Sequence, residues 1–257
     1  MKKITSEDNR IYKNLKQLQV KKYRDRAGEY LIEGENAIRE AIRNGAEIVS
    51  LAVREDRESL YKDMFGEEIS GGLVLDGKLF DKLSQTDTSQ GILASVRKPD
   101  YSNKALPEGN IVVLDRLQDP GNIGTIIRTC DAAGISAVIA IKGTADVYSP
   151  KVVRSAAGSL FRVPVFEAVE TQQAVRMLKE AGRTIIGTSF DTDVMYYEQN
   201  MRNNIAIVIG NEGNGMSEEF MQACDVNIKI PMKGNIESLN AAVAAGILIY
   251  ETIRQER

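Results

Sequence analysis

The stretch DPGNIGTIIRTCDAAG, residues 119–134, decides the fold. It follows the apolar run 111–114 (IVVL); Pro120 and Gly121 make a turn, and Asn122 is suited to cap a helix by accepting from its first unbonded N–H groups. Beyond it, Ile123, Ile126, Ile127 and Cys130 share one helical stripe, with Arg128 at its edge and Asp131 on the open side. A strand passing through a Gly- and Asn-rich turn into a helix is the repeating unit of an open α/β sheet, and such sheets bind ligands outside their strand ends. Two further stretches are built the same way: IVIGNEGNGMS at 207–217 and IPMKGNIESLNAAVAAG at 230–246. Together they predict a ligand site made of loops.

Working outward, apolar runs predict strands at 111–114, 137–141, 184–187, 205–209 and 226–230. Helical patterns at 122–133, 150–157, 172–181 and 217–223 separate them, and a last helix covers about 239–255. The fold class is therefore α/β, with a mostly parallel sheet covered on both faces. The N-terminal part predicts a helix at 37–44 ended by Gly45, a strand at 48–53, a short helix at 59–65 and a strand at 91–96, a smaller α/β unit. A polar run there, Thr86, Asp87, Thr88, Ser89 and Gln90, serves either turn chemistry or a ligand. Residues 99–110, polar and rich in Pro and Gly, read as a linker, giving units 1–98 and 111–257.

Composition removes several chemistries. There is no His, which excludes an imidazole base, a Ser-His or Cys-His nucleophile and a His-ligated metal. Cys130 and Cys224 are too few for a zinc cluster and suggest no disulfide framework, so a metal-free, cytoplasmic protein is expected. Charged residues punctuate every apolar run, so no membrane association is expected. The net charge of -3 hides a basic N-terminus, where Lys2, Lys3, Arg10, Lys13, Lys16, Lys21, Lys22, Arg24 and Arg26 face Glu7, Asp8, Asp25 and Glu29. That excess suits either a phosphate backbone or a solvated, partly frayed helix.

The motif residues each allow two readings. Asn122 is a helix cap or a ligand contact. Arg128 meets an anion with its rigid fork or pairs with Asp131 one turn away. The glycines Gly210, Gly213 and Gly215 resemble a dinucleotide loop, but the spacing is G-x-x-G-x-G and Glu212 inside it would repel a pyrophosphate. They instead let backbone groups approach a neutral ring, leaving Glu212 for a cation or a hydroxyl. Ser238 caps the last helix or faces a carboxylate or forming alkoxide at its start.

NIGTIIR at 122–128, IGNEGNG at 209–215 and IPMKGNIESLN at 230–240 resemble, in order, the three signature motifs of the SpoU/TrmH group of SPOUT RNA 2′-O-ribose methyltransferases. Residues 9–34 are similar to the start of the substrate-binding domain of ribosomal RNA members, an α/β/α fold. The chain departs from the pattern at Ala241 and Ala242, where Val-Ser is common. The resemblance implies a deep trefoil knot, a homodimer and S-adenosylmethionine as cofactor. It implies cofactor contacts by Gly210, Ile230 and Leu239, with Thr188 beside them, and a catalytic set of Arg128, Asn122, Glu212, Ser238 and Asn240. The substrate it implies is RNA, with 23S ribosomal RNA ahead of transfer RNA. Two other functions remain: a base methyltransferase with Cys130 or Cys224 as nucleophile, and a non-catalytic RNA-binding or ribosome assembly factor.

Overall fold

A computed structural model describes residues 1–86, 88–236 and 238–256. Asp87 of the polar run and Glu237 of the third motif lie outside the described residues. The chain forms two compact units, residues 1–99 with 148–161, and residues 100–147 with 162–257. The segment 148–161 thus belongs with the N-terminal residues although it lies between strands of the second unit.

In the first unit the elements are β1 (Lys2–Ile4), α1 (Arg10–Gln17), α2 (Lys21–Ala27), β2 (Glu29–Glu33), α3 (Glu35–Arg43), β3 (Ile48–Arg54), α4 (Glu58–Phe65), β4 (Leu73–Leu75), α5 (Gly77–Asp81) and β5 (Ile92–Arg97). The sheet order is β1-β4-β3-β5-β2, with β5 antiparallel to both neighbours. The basic N-terminus is not a frayed helix. Asn9 caps α1 by accepting from Ile11 N (2.9 Å), and Tyr12 and Leu15 are buried against Leu79, Phe80 and Leu83. Arg24 is buried too, and its Nη1 donates to the Leu18 carbonyl at 2.7 Å. Many of the lysines there are paired, as in Lys13–Asp8 (2.7 Å) and Lys16–Glu7 (3.1 Å). The polar run is turn chemistry: the hydroxyls of Ser84, Thr86 and Ser89 and the Gln85 N–H all donate to the Glu33 carboxylate. Gln90 Oε1 then accepts from Glu35 N (2.7 Å), capping a helix whose own flanking residue, Gly34, has no side chain to do so.

The second unit holds β6 (Ile111–Leu114), α6 (Pro120–Ala132) and β7 (Ala137–Ile141); the first unit's α7 (Pro150–Ala156) intervenes in sequence. There follow β8 (Val165–Val169), α8 (Thr171–Glu180), β9 (Thr184–Thr188), β10 (Ile205–Ile209), α9 (Glu218–Ala223), β11 (Val226–Ile228) and α10 (Ala241–Glu256). The strands run in the order β11-β9-β10-β6-β7-β8, and every pairing is parallel. All four β6 residues are fully buried, on both faces, as a parallel sheet requires. Each such side chain contributes roughly 1.5–3 kcal/mol. β8 was not expected from the sequence, since Glu167 breaks its apolar run and Ala168 adopts a left-handed φ of 50°. Tyr101 and Leu106 of residues 99–110 pack on this unit's core, and the buried Arg183 donates to the Gly109 carbonyl at 3.1 Å. Among the described residues no helix is long and apolar enough to cross a membrane.

The chain leaves β6 toward β7 and β8, then returns to the other side of β6 for β9 and β10. That reversal is the switch point at which loops diverge and open a crevice.

Candidate active site

A cavity of about 460 Å3 lies beyond the ends of β9, β10 and β11, lined by Thr188, Gly210, Glu212, Ile230, Ser238, Leu239 and Asn240 among others. Its size suits a small organic ligand, for which roughly 300–1,000 Å3 is usual. The expected cofactor residues Gly210, Ile230, Leu239 and Thr188 all line it. Gly210 is dictated by sterics, since a Cβ there would sit 2.4 Å from both Gly215 C and Met216 N. The loop therefore folds back on its own backbone and presents main-chain groups to the cavity.

Beside the cavity the three motifs are joined by one run of hydrogen bonds. The Glu212 carboxylate accepts from Gln118 N (3.0 Å), Asp119 N (3.1 Å) and Asn122 Nδ2 (3.0 Å). Asn122 Oδ1 accepts from Asn240 Nδ2 at 2.8 Å. Asn240 Oδ1 accepts from Ala242 N (2.9 Å) and Val243 N (3.3 Å), which starts α10. Burial raises the Glu212 pKa, but the N–H groups of Gln118, Asn122 and Asp119 outweigh it, so the carboxyl titrates below its ordinary range. A carboxylate only accepts, which fixes Asn122 with its nitrogen toward Glu212 and its oxygen toward Asn240. The direction of every bond follows from the charge on Glu212.

Two capping expectations are corrected by this geometry. Asp119, not Asn122, caps α6, accepting from Asn122 N at 3.0 Å, which frees the Asn122 side chain for Glu212. Asn240, not Ser238, caps the last helix; Ser238 is exposed at the cavity and makes no hydrogen bond among the described residues. Arg128 projects from α6 as an exposed guanidinium with no ion pair or hydrogen bond among the described residues. Its expected surface partner is engaged elsewhere, because Asp131 pairs with Arg162 at 2.7 Å. Neither Arg128 nor Asn122 lines the cavity itself.

Sequence reasoning did not reveal the hydrogen bonds that hold these loops. Asp115 is fully buried and its Oδ2 accepts from Ser217 N at 2.6 Å, tying β6 to the end of the glycine loop. The Arg116 carbonyl accepts from Asn211 Nδ2 (2.8 Å) and Gln118 Nε2 (2.9 Å). A polar residue just after an apolar strand was the only sign of either, and the partners lie 95 and 102 positions away. The cysteines offer no thiolate: burial, then Asp131, pushes the Cys130 thiol far up, and burial with Asp225 and Asp115 pushes Cys224 up to about 12.

Residues 109–250 match the model of the SpoU rRNA Methylase family, and residues 9–94 match the MRM3-like substrate binding domain. The 23S rRNA (guanosine(2553)-2′-O)-methyltransferase RlmP of Bacillus subtilis is 35% identical over 253 residues, 97% of this chain and 98% of that protein. The AdoMet-bound rRNA methyltransferase from Sinorhizobium meliloti superposes with a TM-score of 0.86 at 31% identity, over 98% of this chain and 97% of that one. The SpoU methyltransferase AviRb from Streptomyces viridochromogenes, in complex with AdoMet, gives a TM-score of 0.86 at 30% identity, over 96% and 98%. With all three signature motifs meeting at one strand-end crevice and the family match covering more than half of its length, the chain belongs to the SpoU rRNA methylase family.

Proposed function

We propose that the protein transfers a methyl group from S-adenosylmethionine to a ribose 2′-hydroxyl of 23S ribosomal RNA. The observation that carries this reading is the Glu212–Asn122–Asn240 run beside a cavity of cofactor size lined by glycine-loop backbone. The likeness to a 23S rRNA 2′-O-methyltransferase along nearly the whole of both chains supports the RNA class, and the AdoMet-bound neighbours support the cofactor.

The cofactor, when bound, supplies a methyl group already activated on a sulfonium. The chain must then align the hydroxyl and disperse the charge that forms on its oxygen. Asn240 has one amide hydrogen left after donating to Asn122, and Ser238 has its hydroxyl, so these two position the ribose oxygen. Arg128 holds the RNA phosphate and stabilises the forming alkoxide. A guanidinium does not serve as a general base, so the hydroxyl proton passes to solvent as the oxygen takes the methyl group and S-adenosylhomocysteine leaves. Glu212 holds the loops in register and does not touch the reacting atoms.

A homodimer and a trefoil knot belong to the same reading. The exposed Val243 and Tyr250 on α10 support the first, and the convergence of segments 188–190, 209–215, 228–232 and 238–241 on one cavity supports the second. Action in the cytoplasm is part of it too. The deciding experiment incubates the protein with methyl-labelled S-adenosylmethionine and unmodified 23S ribosomal RNA or transfer RNA, then digests to nucleosides. Label on a ribose 2′-oxygen of ribosomal RNA is expected. Label on transfer RNA alone would replace the substrate, and label on a base would overturn the mechanism.

A further inference from the structure

Arg116 has a left-handed backbone, φ 60°, a conformation that non-glycine residues seldom adopt and that clusters at functional sites. It is locked there because its carbonyl accepts from both Asn211 Nδ2 and Gln118 Nε2. Its aliphatic stem lies over bare backbone: a Cβ on Gly143, itself at φ +99°, would come within 3.3 Å of Arg116 Cγ. Its Nε stands 3.2 Å from Asp115 Oδ1, an oxygen that is fully buried and accepts no hydrogen bond. The terminal nitrogens make no hydrogen bond among the described residues, and the side chain is 45% exposed. The neighbouring cation at the β7 end, Lys142, is taken by Glu170 at 2.6 Å.

A counter-ion for Asp115 alone would engage the carboxylate with its fork. Arg116 brings Nε to it, and its fork makes no hydrogen bond among the described residues, on a left-handed backbone at the end of the strand that leads into the first motif. A planar fork held this way fits two oxygens of one phosphate.

We infer that Arg116 is a second phosphate-gripping residue of the RNA site, acting in addition to Arg128 and independently of the cofactor cavity. The inference rests on the reading of this protein as an RNA methyltransferase. Its test is the binding of an unmodified 23S ribosomal RNA transcript across a range of KCl concentrations, for the wild type, Arg116→Asn and Arg116→Lys, with S-adenosylmethionine affinity measured in parallel. Asn tolerates the left-handed backbone, so that variant removes the charge without new strain.

Arg116→Asn should raise the RNA Kd about 5- to 20-fold and flatten the log Kd against log salt slope by roughly 0.7–1, the share of one phosphate contact. Arg116→Lys should keep the slope yet still weaken binding several-fold, because the fork is lost. Cofactor affinity should stay within about twofold throughout. RNA affinity and slope unchanged in Arg116→Asn would overturn the inference. So would a cofactor affinity that falls in step with RNA affinity, which would make Arg116 a brace for Asp115 and the glycine loop. A wild-type protein with no salt-dependent affinity for ribosomal RNA would instead remove the underlying reading.

Discussion

Asn240→Asp separates what holds the last helix from what aligns the reactive groups. The new carboxylate still accepts from Ala242 N and Val243 N, and a negative charge at a helix start adds about 0.3–1 kcal/mol. It loses both amide hydrogens: the donor to Asn122 Oδ1, now 2.8 Å from another acceptor, and the one proposed to position the ribose oxygen, which no second substitution restores. The neutral hydrogen bond is worth about 0.5–1.5 kcal/mol, and the unsatisfied acceptor pair adds about 1–3 kcal/mol in a buried setting and less in this exposed one. Turning the Asn122 amide over gives no relief, because its oxygen would then oppose Glu212 Oε1 in place of the 3.0 Å bond. The alignment therefore loses about 1–3 kcal/mol, or roughly 5- to 160-fold in kcat/KM for RNA. Thermal stability should fall by less than the alignment does, because the charge at the helix start offsets part of the loss. The assay pairs single-turnover methyl transfer with a thermal melt.

Adding Glu212→Gln to Asn240→Asp sharpens the test. A glutamine can donate to a flipped Asn122, which then donates to the new carboxylate at position 240 and restores a continuous run in the opposite sense. The amide nitrogen takes the place of Oε1, so the Asp119 N–H goes unaccepted while that of Gln118 keeps its acceptor, and rescue is partial. The double variant should be several-fold more active than Asn240→Asp alone, a coupling of about 1 kcal/mol. Wild-type activity in the single variant, or a double variant worse than additive, would refute the claim that the direction of these bonds matters.

Arg128→Ala should lower turnover by at least about 100-fold while leaving the melting temperature and cofactor affinity near wild type, since Arg128 has no partner among the described residues to lose. Gly210→Ala forces a Cβ to within 2.4 Å of loop backbone, so S-adenosylmethionine affinity measured by calorimetry should fall by about tenfold or more. Cys130→Ser and Cys224→Ser should keep methyl transfer, because burial holds both thiols protonated; loss of activity in well-folded Cys224→Ser would revive a covalent mechanism. The Glu212 carboxyl has a depressed pKa in the folded state, so its contribution is complete above the ordinary glutamate value, about 4.3, and is lost as pH falls through the lower folded value. A melt between pH 6 and pH 3 should show a smaller acid-side drop for Glu212→Gln than for wild type, to a degree limited by the exposure of the site.

The parallel sheet was legible because its strands are short unbroken apolar runs, and Ile111, Val112, Val113 and Leu114 each end fully buried. β8 was not, because Glu167 and the left-handed Ala168 disguise it. Nor was the membership of residues 148–161 in the first unit, since nothing local marks where a chain leaves one core for another. The motif residues could be picked out by type, but their roles as caps were misassigned. Asp119 and Asn122 are both good caps on composition, and only the position of Glu212, 90 residues later, decides which is released.

That release explains how a site without histidine is organised. With no group whose charge changes near neutral pH, the chain orients its polar side chains by fixing one permanent charge and letting hydrogen-bond direction propagate from it. Glu212 accepts, so Asn122 must donate to it and accept from Asn240, and Asn240 must then accept from the start of α10. Each amide keeps a hydrogen for substrate only because its other end is already committed. Arg128 stands apart from this run: its guanidinium is exposed and unpaired among the described residues, which is what the proposed role in stabilising developing charge requires.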